Sequence, residues 1–150
     1  MMFKNLLIAT DGSELGNKAL DIALELARLH GASLIILTAT DPVATGIGSG
    51  GFGTIDAGPI LARLEEAYAS EAANLLAAAR HKAQAAGISA QTLHLPRHRP
   101  ADGILETAAQ KGTDLIVMGS HGRRGLARLL LGSQATEVLA RATIPVLIVK

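Results

Sequence analysis

Between residues 119 and 133 a few small residues stand at two defined spacings. Gly119-Ser120-His121-Gly122 is followed by nine residues and then by Gly132-Ser133. Gly119 and Gly122 let backbone amides come close to an anion with no Cβ in the way. Gly132-Ser133 opens a segment of helical character, whose first amides and positive dipole end attract phosphate. The Ser133 hydroxyl adds a donor. Several donors aimed at one place hold a polyphosphate without a lysine. The chain has no Gly-Lys-Ser or Gly-Lys-Thr, which argues against a P-loop NTPase. A second cluster, Ala9-Thr10-Asp11-Gly12-Ser13, ends an apolar run and brings a carboxylate to a turn.

These two clusters need elements to position them. Residues 3–10 read as a strand buried on both faces. Ser13 is an N-cap candidate for a helix running to about His30. Leu15, Ala19, Ile22, Leu26 and Leu29 form its expected apolar face, and Gly31 its C-cap. Residues 33–40 form a second buried strand. From Asp41 to Gly58 there is no periodicity, and six glycines fall between Gly46 and Gly58; this reads as a loop able to cover a ligand. Pro59 opens a helix from Ile60 to about Ala86, with Leu61, Leu64, Tyr68, Leu75 and Ala79 as its expected buried stripe. Residues 89–95 form an alternating third strand, and 100–111 a short helix closed by Gly112. Residues 114–119 form the fourth strand, 132–142 hold the last helix, and 145–149 the last strand.

Strands alternating with helices give an α/β fold, a three-layer αβα sandwich around a parallel sheet. Right-handed crossovers leave few topologies, and the expected one is a five-stranded sheet in the order 3-2-1-4-5. Ligands of such sheets sit where the winding reverses, outside the carboxyl ends of the strands. That point lies between strands one and four, so Asp11 and Gly119 are expected to face one crevice.

Composition narrows the function. The chain of 150 residues suits one domain spanning 1–150. Hydrophobic residues make up 49% and charged ones 18%, which argues against disorder. Aromatics at 2% and a net charge of +1 argue against nucleic-acid binding. With no cysteine, disulfides, thiolate catalysis and thiolate metal sites are excluded. No apolar run reaches the roughly 20 residues of a membrane helix, and Asp11 comes too early for a secretory signal. A cytoplasmic protein is the default expectation.

The chain resembles the universal stress protein family, in its single-domain ATP-binding branch, along its whole length. The resemblance rests on 9–13 (ATDGS), on 116–122 (IVMGSHG), on 131–133 (LGS) and on 144–149 (IPVLIV). The family pattern G-x2-G-x9-G-[ST] is matched at every fixed position. The resemblance implies an adenine nucleotide alpha hydrolase-like, Rossmann-like fold and ATP as ligand, with Mg2+ bridging phosphate oxygens rather than sitting in a protein cage. It implies that Ala9 and Thr10 line the adenine slot, that Asp11 contacts the ribose, and that Ala39 meets adenine through its backbone. Met118 and Gly119 continue the wall. Ser120, His121, Gly122, Arg123, Gly132, Ser133 and Gln134 complete the phosphate side. It also implies a homodimer through the strand at 145–149, a strand that is apolar enough to pair with a copy of itself. One departure stands out. Where the family often has glycine two residues before Pro100, this chain has His98, whose side chain would narrow the pocket or reach the ligand.

Other patterns carry less. Residues 46–51 (GIGSGG) match G-x-G-x-x-G but do not join a strand directly to a helix. His94 and His98 are four apart, but Pro96 between them breaks the helix that such metal spacing needs. Arg123, Arg124 and Arg128 are either a solvated face or lean toward phosphate. The expected function is a nucleotide-dependent stress-response regulator. The alternatives are a slow ATPase using the same site and a chaperone-like dimer that works without nucleotide. No nucleophile–base pair is evident, so no catalytic residue is assigned.

Overall fold

The computed structural model describes residues 2–42, 58–122 and 131–150. Along them run β1 (Asn5–Ala9), α1 (Glu14–His30), β2 (Ser33–Thr40), α2 (Gly58–Ala85), β3 (Ala90–Pro96), α3 (Pro100–Lys111), β4 (Leu115–Gly119), α4 (Ser133–Arg141) and β5 (Val146–Val149). The strands form one five-stranded sheet in the order β3-β2-β1-β4-β5, and every neighbouring pair is parallel. This is the order expected from alternating elements and right-handed crossovers.

Strand alternation sends successive side chains to opposite faces. Leu6, Ile8, Leu34, Ile36, Leu115 and Val117 therefore share a core with α1 and α2. Leu7, Ile35, Leu37, Ile116 and Met118 share the other with α3 and α4. β1 lies in the middle, and Leu6, Leu7 and Ile8 are fully buried. The strand begins at Asn5 rather than Phe3. Just before it, the amides of Lys4 and Asn5 donate to the Asp114 carboxylate at 2.8 and 3.1 Å, fixing the start of β1 against the start of β4.

Helix ends match the sequence closely. Ser13 caps α1, its hydroxyl accepting from the Gly16 amide at 3.1 Å. Gly31 closes α1 in the left-handed region at φ 62°, a conformation that costs glycine little. The helix faces differ from expectation. α1 buries Ala19, Leu20, Ala23, Leu24 and Ala27, while Ile22 and Leu26 only flank that core and Leu29 is 57% exposed. Ala19, Ala23 and Ala27 let the helix lie close on a sheet of branched side chains, Leu20 and Leu24 fill the core beside them, and Ile22, Leu26 and Leu29 fall to the rim.

In α2 the buried residues are Ala72, Leu76, Ala79 and Ala83. Of the expected stripe, Ala79 is buried, Leu61, Leu64 and Leu75 are half-buried, and Tyr68 is 38% exposed. Length explains this. The 28 residues of α2 extend roughly 42 Å at 1.5 Å per residue, well beyond the roughly 25 Å of an eight-residue strand. Its N-terminal turns therefore overhang the sheet. β3 is half-buried at most positions rather than alternating, as befits the edge of the sheet.

Candidate functional site

The winding reverses between β1 and β4, which are paired with Ala9 opposite Met118. Just beyond that register lie Thr10, Asp11, Gly119 and Ser120. The Thr10 amide donates to the Leu37 carbonyl at 3.0 Å, and its buried hydroxyl accepts from the Gly12 amide at 3.2 Å. Asp11 Oδ1 accepts from the Ser13 amide at 2.9 Å. A Cβ on Gly122 would lie 2.8 Å from Asp11 Oδ2. The carboxylate after β1 and the second motif glycine are thus immediate neighbours, although 111 positions separate them in the sequence.

The far side of the crevice is the start of α4. The Gly132 amide donates to the Ser120 carbonyl at 2.8 Å, and a Cβ on Gly132 would stand 2.9 Å from that oxygen. The two ends of the loop are therefore pinned together, and only glycine fits at the pin. Ser120 is itself tied to β5, its amide donating to the Val149 carbonyl at 2.8 Å. Its hydroxyl shares a hydrogen bond of 3.0 Å with His121 Nδ1. Gly132 is the N-cap of α4, and no side chain caps that helix; Ser133 is its first helical residue rather than its cap. The first intrahelical bond runs from the Thr136 amide to the Gly132 carbonyl at 2.9 Å. The amides of Ser133, Gln134 and Ala135 precede that bond and are the donors a helix start offers to an anion.

Ala39 is half-buried at the end of β2. The Thr40 carbonyl accepts from the His98 amide at 3.0 Å. Met118 is buried against α3 and α4. The His98 ring turns toward its own loop and α3: Nδ1 donates to the Pro96 carbonyl at 2.7 Å and Nε2 lies 3.7 Å from Glu106. The Gln134 side chain is engaged by α3. Its Oε1 accepts from the Ala101 amide at 2.9 Å, capping α3 from α4, while the N-cap residue of α3, Arg99, makes no side-chain cap. Arg123, Arg124, Arg128 and the glycine-rich loop lie outside the described residues.

Two further residues belong to the site's frame. Gly16 lies in the first turn of α1, and a Cβ there would stand 2.7 Å from Thr10 Oγ1 and 2.9 Å from Asp11 Oδ1. Gly103 lies under the opposite wall, where a Cβ would meet Leu95 at 2.8 Å and Ala39 at 3.7 Å. Both keep a helix close to a strand end. The sequence signal for each was a glycine inside a helix, a position where alanine is favoured by about 1 kcal/mol.

A carboxylate beside a glycine and an uncapped helix start thus lie together at the switch point. The model of the universal stress protein family matches residues 2–150. The chain belongs to the universal stress protein family. A universal stress protein of Thermus aquaticus is 36% identical over 149 residues, covering 99% of this chain and 100% of that one. Universal stress protein YxiE of Bacillus subtilis is 36% identical over 150 residues, with 99% and 100% covered. The UspA structure from Lactobacillus plantarum shares the fold at a TM-score of 0.85, with 24% identity over 100% of this chain and 99% of that one. A universal stress protein in complex with cAMP is 29% identical at a TM-score of 0.68, with 99% and 98% covered. One from Archaeoglobus fulgidus in complex with dAMP is 25% identical at 0.65, with 100% of both chains covered.

Proposed function

We propose that this universal stress protein binds an adenine nucleotide, ATP with Mg2+, in the crevice between β1 and β4, and that occupancy regulates a stress response. The observation that carries the reading is the contact between Asp11 and Gly122 beside the uncapped start of α4. It sets a hydroxyl-binding carboxylate next to main-chain donors suited to phosphates. The complexes of related proteins with cAMP and dAMP support the adenine. In this reading Ala9, Thr10, Ala39 and Met118 surround the base, and Asp11 accepts from ribose hydroxyls. Gly119, Ser120, His121, Gly122, Gly132 and Ser133 enclose the phosphates, joined by Arg123 and by Gln134 through its main-chain amide. Mg2+ would come in with the nucleotide and offset phosphate charge, with no protein side chain assigned as its ligand. Occupancy changes the surface offered to partners, a ligand-driven shift of population.

The test is to denature the purified protein, chromatograph the supernatant, and titrate ATP into nucleotide-stripped protein by calorimetry. An adenine nucleotide in the supernatant and saturable binding are expected. Neither nucleotide nor heat of binding would sink the proposal.

A further inference from the structure

On the opposite side of β2 from the crevice, β3 forms one edge of the sheet and packs beside α2. A groove of about 510 Å³ runs between them. Its helix wall is a row of small side chains, Ala69, Ala73 and Ala77, spaced four apart and all exposed. Its strand wall carries Thr92 and His94, and Arg80 and His81 stand over it from α2.

The backbone of β3 supplies the second observation. The Ser89 carbonyl accepts from the Leu34 amide, toward β2, and the register runs from Leu34 opposite Ala90 to Thr40 opposite Pro96. In a parallel ladder alternate residues bond to the neighbour and those between them turn outward. Gln91, Leu93 and Leu95 thus pair with β2, whereas Thr92 and His94 direct amide and carbonyl outward, where no strand meets them among the described residues. Natural edge strands are blunted by charge or proline. Here Pro96 ends the edge, and residues 90–95 (AQTLHL) carry no Lys, Arg, Asp or Glu.

From this geometry we infer that the β3–α2 groove takes up an extended, acidic segment of a partner protein, which adds to the sheet as a strand beside β3. Main-chain bonds to Thr92 and His94 hold it, as in other strand additions. Side chains at every second position enter the groove. Beside the alanines there is room for an aliphatic side chain, and the Arg80 guanidinium, which has no ion-pair partner among the described residues, selects a carboxylate two positions away. No carboxylate lines the groove among the described residues. A second copy of the chain fits less well, because pairing β3 with itself sets groove against groove and brings two Arg80 cations together. The inference is independent of nucleotide binding.

The probe is the fluorescein-labelled, acetylated and amidated heptapeptide Ser-Val-Thr-Glu-Thr-Val-Ser, with a control carrying Lys for Glu. Its sequence reads the same in both directions, so strand polarity does not matter. With the full chain, the Glu peptide is expected to bind about tenfold more tightly than the Lys peptide, the scale of one charge-assisted hydrogen bond. Binding slows amide exchange at Thr92 and His94. Arg80→Glu reverses the preference, and Ala73→Phe, which fills the groove from an exposed position, abolishes binding while circular dichroism stays unchanged. Equal affinity for the two peptides, or unchanged exchange at Thr92 and His94 under saturating peptide, overturns the inference. So does self-association in sedimentation that Thr92→Pro abolishes, since the occupant is then a second copy.

Discussion

Asp11 and Gly122 carry the nucleotide proposal between them. A methyl group on Gly122 would stand 2.8 Å from Asp11 Oδ2, inside any tolerable contact, so Gly122→Ala must push the carboxylate aside. Gly122 is not among the glycines with positive φ, and the substitution therefore brings no backbone strain. Calorimetry should show ATP affinity falling by at least about tenfold, or about 1.4 kcal/mol, with the melting temperature little changed. Unchanged affinity would separate Asp11 from the ligand. His94 gives a pH signature. Burial lowers its pKa from the ordinary value of 6.5, and its Nε2 lies 3.0 Å from the Thr40 hydroxyl. The unfolded chain then binds the extra proton first, so the stabilising contribution is present above 6.5 and is lost as pH falls through the lower folded value. His94→Gln should flatten stability against pH in that window, read by urea denaturation at stepped pH. At this scale the sequence is legible where chemistry restricts the residue type, as at Asp11 and the motif glycines. Gly16 was not legible as part of the site. Its role is to leave space beside Thr10 and Asp11, and that space exists only once α1 is laid against β1.

The start of α4 is oriented by α3 as much as by the loop before it. Gln134 caps the Ala101 amide at 2.9 Å. Around it Arg99 meets Glu137 at 3.2 Å and Arg141 meets Asp102 at 2.8 Å. These ion pairs are at the surface and each contributes little, although the hydrogen bond from Arg141 does hold the Asp102 carboxyl below its usual range. The part-buried cap matters more, because it replaces the side-chain cap that Arg99 does not make. Gln134→Leu should cost about 1 kcal/mol in urea denaturation. Gln134→Glu keeps an acceptor at a helix N-terminus and should recover most of that loss. Equal losses for both would mean the cap contributes nothing. The ends of these elements were readable because caps demand particular residues: Ser13, Gly31, Pro100 and Gly112 all stand where the sequence puts them. The faces were less readable. In an alanine-rich helix the buried face mixes alanines with a few leucines, as with Leu20, Leu24 and Leu76, so leucine spacing alone places the stripe of α1 too far toward Leu29 and that of α2 too far toward Tyr68.

For the whole molecule, alternation and handedness leave only a few strand orders, and 3-2-1-4-5 is one of them. The sheet has two edges, β3 and β5. At the β5 edge, Val146–Val149 are all aliphatic, and Leu147 is 37% exposed. An uncharged apolar edge of this kind pairs with another chain unless something blunts it, and closed two-fold pairing is the commonest outcome. The edge is also bound to the crevice, because the Val149 carbonyl accepts from the Ser120 amide at 2.8 Å. A dimer through β5 would therefore rest directly on the loop proposed to hold phosphate. Leu147→Lys places a charge on that edge without altering the Ser120 bond, which is made by the backbone. Sedimentation should show a dimer for the native chain and a monomer for the variant, while circular dichroism is preserved. If the edge also steadies the loop, the monomer binds ATP more weakly than the dimer, and the loss is larger for ATP than for adenosine. A variant that stays dimeric would place the interface elsewhere. A monomer with native ATP affinity would show that the loop is held by Ser120 and Gly132 alone.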